Sequence, residues 1–97
     1  MSVVVLLEVQ VKPEDVDNMK AYFKEILPDT RAYDGCQGID VYGNLDESTN
    51  LVLYERWDSR QHYDNYLAWR AETGVVDRLG SMLSGPPSIR YYERVDA

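Results

Sequence analysis

One cysteine, Cys36, and one histidine, His62, stand in 97 residues. A lone cysteine closes no intramolecular disulfide, and with a single imidazole it builds no recognisable metal site. No metal is expected, and a reduced, cytoplasmic setting is the simplest reading. Long apolar runs are missing as well. Val3 to Leu7 has no basic leader before it and Glu8 directly after it, too short for a signal-peptide core or a membrane span. Positive charge is scarce: ten Lys and Arg against seventeen Asp and Glu leave a net charge of -7. Such a chain repels phosphate backbones and anionic membranes, so neither nucleic acid nor membrane is expected as a partner. There is no Gly-rich nucleotide loop and no nucleophile elbow. Repeats, low-complexity tracts and linkers are absent too, and a chain of this length holds one core, a single domain over 1–97. Phenylalanine is nearly absent, one residue against eight Tyr and two Trp. Most of the aromatic area therefore carries a polar tip, suited to an apolar surface or cavity that needs hydrogen bonds.

What is present reads as six main elements. Val3, Val5, Leu7, Val9 and Val11 alternate with Val4, Leu6, Glu8, Gln10 and Lys12, the period of a strand. Pro13 suits the first turn of a helix, and Glu14, Asp15 and Asp17 complement its positive end. Val16, Met19, Phe23, Ile26, Leu27, Thr30 and Tyr33 then recur at steps of three and four, one core-facing stripe. Pro28 predicts a kink or restart, and Asp34-Gly35 the end. Gly38–Asn44 and Leu51–Trp57 read as a hairpin around a polar turn. Asp58-Ser59-Arg60-Gln61 resembles a capping box with Gln61 reaching back. The helix it opens runs to about Glu72, with His62, Tyr63, Tyr66, Leu67, Trp69 and Arg70 on one wide arc. Val75 to Leu83 suggests a short further helix, stopped by Gly85-Pro86-Pro87, and Ser88–Val95 alternates as a last strand.

Strand, helix, strand, strand, helix, strand is the split unit of α+β, ferredoxin-like βαββαβ folds, with both helices on one face of a four-stranded antiparallel sheet. Several strands are apolar or aromatic on both faces, and no element remains to cover the second face. A homodimer packed sheet against sheet is expected, with Tyr54, Tyr91 and Tyr92 as sheet and interface aromatics.

These pieces together are similar to a known family. The opening strand followed by V-K-P-E-D, the Asp34-Gly35-Cys36 turn, Glu55-Arg56-Trp57-Asp58-Ser59 and Gly85-Pro86-Pro87 resemble the antibiotic biosynthesis monooxygenase superfamily of dimeric α/β barrels, over nearly the whole chain. That family includes cofactor-free oxygenases of polycyclic phenols and quinols, haem-degrading enzymes, and members without assigned activity, so membership alone does not settle function. In the oxygenase branch a cavity lies between sheet and helices, with Asn, then Trp four residues on, then Tyr six further. Trp57 and Tyr63 match the last two, while Leu53 occupies the Asn position. An Arg from the following helical segment belongs to the same pattern, for which Arg78 and Arg70 are the candidates. The His that many quinol-oxidising relatives carry is replaced by Tyr66. The axial His of the haem-degrading branch has no counterpart after His62.

The resemblance thus implies a cofactor-independent monooxygenase of a phenolic or quinol-type aromatic. Trp57, Tyr63 and Arg78 would stabilise negative charge, with His62, the one side chain that titrates near neutrality unaided, as a candidate proton acceptor. Tyr66, Leu53, Trp69 and Arg70 would contact the ligand. A non-catalytic dimeric binding or sensing domain for an aromatic metabolite is the alternative, and a dimer with a filled core is a third.

Overall fold

The computed structural model describes residues 2–97. Strand β1 (Val3–Gln10) leads through a single 3-10 turn, Pro13–Asp15, into helix α1 (Val16–Arg31). Strands β2 (Cys36–Gly43) and β3 (Asn50–Trp57) form the hairpin. Helices α2 (Arg60–Glu72) and α3 (Val75–Ser81) and strand β4 (Ser88–Glu93) complete the chain. The four strands make one antiparallel sheet in the order β2-β3-β1-β4, the ferredoxin-like α+β arrangement.

Strand register decides what faces the helices. Val5 lies opposite Glu55 on one side and Tyr91 on the other, and Leu7 lies opposite Leu53 and Ile89. Ile39 and Val41 of β2 pair with Glu55 and Leu53. Since strand side chains alternate, the odd-numbered residues of the four strands share the helix-facing side, except at the start of β2, where a register shift between Cys36 and Gly38 sets Cys36 opposite Trp57. Tyr91 belongs to that side, where its ring meets Tyr63 edge-on at 5.9 Å, so it is not an aromatic of the open face as its strand position suggested. Val4, Leu6, Val52, Tyr54, Tyr42 and Tyr92 point the other way.

The expected stripe of α1 is the buried one: Met19, Phe23, Ile26, Leu27 and Thr30. The helix nevertheless continues through Pro28 without a restart. Proline 28 stands in the last turn, and Lys24, whose carbonyl loses its N–H partner, is exposed and open to water, so the usual interruption is avoided. Helix α2 is capped by Ser59, whose Oγ accepts the His62 N–H at 3.1 Å. Gln61 does not reach back; its side chain donates to Asn65 one turn on, at 2.9 Å. Strand β4 stops at Glu93, opposite Val3, because β1 offers no partner beyond that point, and Val95 is exposed.

Between sheet and helices the core has two parts. The larger is aliphatic, built on Val9, Met19, Phe23, Ile26, Leu27, Leu51 and Leu53. The smaller is aromatic, made of Val5, Trp57, Tyr63 and Tyr66 with Tyr33, Trp69 and Tyr91 against it. No helix among the described residues is long and apolar enough to cross a membrane.

Candidate active site

Where the two cores meet, a cavity of about 50 Å³ opens between the sheet and helices α1, α2 and α3. Most of its wall is apolar, from Leu7, Phe23, Leu53, Val75 and Leu79 among others, and four residues with polar or ionisable side chains also line it: Glu55, Tyr63, Tyr66 and Arg70. Strand β3 supplies Glu55 because position 55 has the parity of Leu51, Leu53 and Trp57. Tyr63, Tyr66 and Arg70 come from α2 at steps of three and four, the spacing that puts side chains on one helix face.

Glu55 is 2% exposed, and its strand neighbours across the sheet are Val5 and Ile39. Its Oε1 accepts the Trp57 indole N–H at 3.1 Å, the one hydrogen bond to this carboxyl group among the described residues. Burial pushes its pKa up to about 7, against a smaller downward pull from that bond. An ionised carboxylate can accept about four hydrogen bonds, so most of its capacity is left unused. Trp57 is itself fully buried behind Glu55. Its N–H, expected to stabilise negative charge on a substrate, donates to Glu55.

Arg70 is 5% exposed. Its Nε donates to the Tyr66 hydroxyl at 2.9 Å, and its Nη2 donates to the Ile26 carbonyl at 2.7 Å and to Thr30 Oγ1 at 2.8 Å. All three acceptors are neutral, and the only ion pair within 4 Å among the described residues is His62 with Asp34. The guanidinium is thus a buried cation without a carboxylate within 4 Å, held by three neutral acceptors and by the Trp69 ring 4.5 Å from its centre. Tyr66 also shares a 2.6 Å hydrogen bond with Thr30. Burial raises the pKa of its phenol, opposed by the bonds to Thr30 and Arg70. Tyr63 is raised further, by burial first and then by the nearby Glu55, with no hydrogen bond to offset either. Both phenols are therefore donors at neutral pH, not bases.

Of the residues singled out in the sequence, Leu53, Tyr63, Tyr66 and Arg70 line the cavity. Four others do not: Trp57, buried against Glu55, and Trp69, His62 and Arg78. Trp69 stacks on Tyr33 at 5.1 Å on the flank of the aromatic cluster. His62 turns outward, where its Nδ1 meets Ser59 Oγ at 2.6 Å and its Nε2 lies 3.9 Å from Asp34. Its ring also sits where a Cβ at Gly35 would be, which together with φ +90° accounts for glycine in that turn. Arg78 lies over the Tyr22 ring, 4.9 Å away, in a separate surface groove with Asp15 and Glu25. On α3 the residues turned to the cavity are Val75, Val76 and Leu79, so Arg70 lines it and Arg78 does not. Glu55, the acid of this cavity, is not among the candidate residues that the sequence offers. Its signal was parity, an acid inserted into L-x-L-x-E-x-W on a core-facing strand. No group of three or more His, Cys, Asp or Glu suited to a metal ion occurs among the described residues.

Comparison with known proteins agrees with the geometry. The model of the family described as "Antibiotic biosynthesis monooxygenase" matches residues 2–71. A Mycobacterium tuberculosis (strain ATCC 25618 / H37Rv) protein named "Putative monooxygenase Rv0793" is 33% identical over 80 residues, covering 76% of this chain and 78% of the relative. The solved structure of Rv0793 superposes with a TM-score of 0.87 at 26% identity, over 100% of this chain and 98% of that one. A conserved protein from Methanosarcina mazei Go1 gives 0.89 at 23% identity, over 98% and 94% of the two chains, a likeness of fold.

Proposed function

The chain belongs to the antibiotic biosynthesis monooxygenase family, and from that premise we propose that it is a cofactor-independent monooxygenase of a phenolic or quinol-type aromatic, working as a homodimer. The observation that carries this reading is the cavity itself, an apolar chamber that joins one buried acid, two phenol donors and one guanidinium without a carboxylate within 4 Å. The chemistry of that lining suits a planar ring bearing ionisable oxygen once a wall gives way to admit it, since about 50 Å³ does not hold a ring.

In the proposed reaction the substrate is the reductant. It loses a proton to become a phenolate or a stabilised carbanion, which passes one electron to dioxygen. The resulting radical and superoxide join to form a C–O bond, and the peroxide takes up a proton. Loss of water, with cleavage of the remaining C–H bond, leaves a carbonyl. For a methylene between aromatic rings the sum is CH₂ + O₂ → C=O + H₂O, with all four electrons drawn from the substrate. The protein has to hold the ring, exclude bulk water and stabilise the anion. Arg70 and the Tyr63 hydroxyl are assigned to the anion, and one preorganised donor in such a site is worth roughly 3 kcal/mol.

Oxygen uptake with a panel of hydroquinones and anthrones tests the reading. Wild type should consume oxygen with at least one of them, and Tyr63→Phe should lower kcat; no uptake across the panel would sink it. A second reading, a non-catalytic binding or sensing domain for an aromatic metabolite, draws on Leu53 standing where the oxygenase branch has Asn. Thermal stabilisation by such a ligand without turnover would favour that alternative.

A further inference from the structure

Glu55 has one structural role, accepting the N–H of the fully buried Trp57. Its cross-strand neighbours Val5 and Ile39 and its strand-mates Leu53 and Trp57 are all apolar or aromatic, and a neutral glutamine would keep the bond to Trp57 without desolvating a carboxylate. A carboxyl group held by a single hydrogen bond recovers only part of what its burial costs. A purely architectural acid would use both oxygens, yet the single bond from Trp57 engages Oε1 only. The second oxygen belongs to a carboxyl group that lines the cavity beside Tyr63, Tyr66 and Arg70.

We propose that Glu55 is the proton acceptor of this site, a catalytic carboxylate that removes the acidic hydrogen of a phenol or an enolisable aryl ketone while Arg70 and Tyr63 receive the oxyanion. The assignment rests on the monooxygenase reading above for its substrate class. In the step, the substrate O–H or C–H bond breaks, its electron pair stays on the substrate, and the proton forms a new O–H bond on Glu55. Trp57 keeps the carboxyl group aimed by holding Oε1.

The other candidate base of the sequence, His62, lies outside the cavity. Titratable groups facing Glu55 are few: Tyr63, Tyr66 and Arg70 from α2, and Cys36 from β2. Strand β1 presents Val5, while α1 and α3 present only apolar residues to the same cavity. Both tyrosines and the cysteine are pushed upward, away from neutrality. Glu55, raised to about 7, is the group left to control a base-dependent limb there.

The decisive measurement separates proton removal from oxygen chemistry. Anthrone is incubated with the protein in D₂O under argon, and deuterium entry into its methylene is followed by mass spectrometry for wild type, Glu55→Gln and Glu55→Asp. Glutamine keeps an acceptor for the Trp57 N–H, and native indole fluorescence confirms the fold of each variant. Wild type should accelerate exchange on a limb that rises with pH through about 7. Glu55→Gln should lose roughly a hundredfold or more together with that limb, and Glu55→Asp should restore part of both. Equal exchange by wild type and Glu55→Gln, or an unchanged limb in Glu55→Gln, overturns the assignment even if wild type consumes oxygen. Glu55-dependent exchange without oxygen uptake in air supports Glu55 as the base and rejects the oxygenase reading instead.

Discussion

A buried acid leaves a mark on stability whether or not it is a catalyst. Glu55 has an ordinary carboxylate pKa in the unfolded chain and one of about 7 when folded. Between those values the folded form binds the extra proton, so stability is greatest at acid pH and falls as pH rises through neutrality, by about 3 kcal/mol in order of magnitude. Urea unfolding of wild type and Glu55→Gln at pH 5 and pH 8 checks this: wild type should lose stability relative to the amide variant on going to pH 8. Parallel behaviour at both pH values would show that Glu55 is not held protonated. Arg70 gives the complementary case. Its fork satisfies Ile26, Thr30 and Tyr66 at once, and an ammonium cannot reproduce that planar geometry. Arg70→Lys should therefore cost about 2–3 kcal/mol through acceptors left unpaired in a buried site, read as a lower urea midpoint with unchanged slope. The same variant should weaken anionic ligands more than neutral ones, as measured by calorimetric titration.

Among the elements that wall the cavity, α3 is the least buried. It is seven residues long, buries none of them fully, and starts from Gly74 at φ +82°. Yet Val75, Val76 and Leu79 form part of the cavity wall, and a cavity of about 50 Å³ holds a few waters and not an aromatic ring. A ring can enter only if a wall yields, and the wall with least buried area is α3. Its amides should exchange with deuterium faster than those of α1 between Met19 and Leu27, and a bound anthrone or hydroquinone should slow them; equal protection of both helices would rule out α3 as the cover. This division also explains what could be read in advance. The apolar stripe of α1, the aromatic arc of α2 and the alternation of β1 were legible because each is a periodic pattern within one segment. The uninterrupted passage through Pro28 was not, since it depends on whether Lys24 faces water. Nor was the choice between Arg70 and Arg78, which lie on successive helices and differ by which of them points at the sheet. Glu55 was legible in principle, as an acid at the wrong parity, but the cost of burying it becomes visible only once β1, β2 and α2 close around it.

At the scale of the whole molecule, all three helices lie on one face of the sheet, and the other face stands open among the described residues. It presents Val4, Leu6, Val52, Tyr54, Tyr42 and Tyr92, of which Tyr42 is 57% and Tyr92 44% exposed. By strand parity the charged residues of the same face are Glu8, Asp40, Arg56 and Arg90, two of each sign, in a chain whose net charge is -7. That balance matters for the proposed homodimer. A two-fold axis brings each surface against its own copy, so a face of one sign would repel itself, whereas a balanced one can set its arginines against the acids of the second protomer. The apolar centre then supplies the burial and the charges the register. Sedimentation equilibrium should give twice the 11.2 kDa chain mass at micromolar concentration. Leu6→Arg should shift it to the monomer by placing an unpaired charge at the centre of the interface. Because the cavity lies on the opposite face of the sheet, the monomeric variant should keep its affinity for a cavity ligand to within a few-fold. Loss of both together would mean that the sheet-to-sheet contact also sets the spacing of Glu55 and the helices above it.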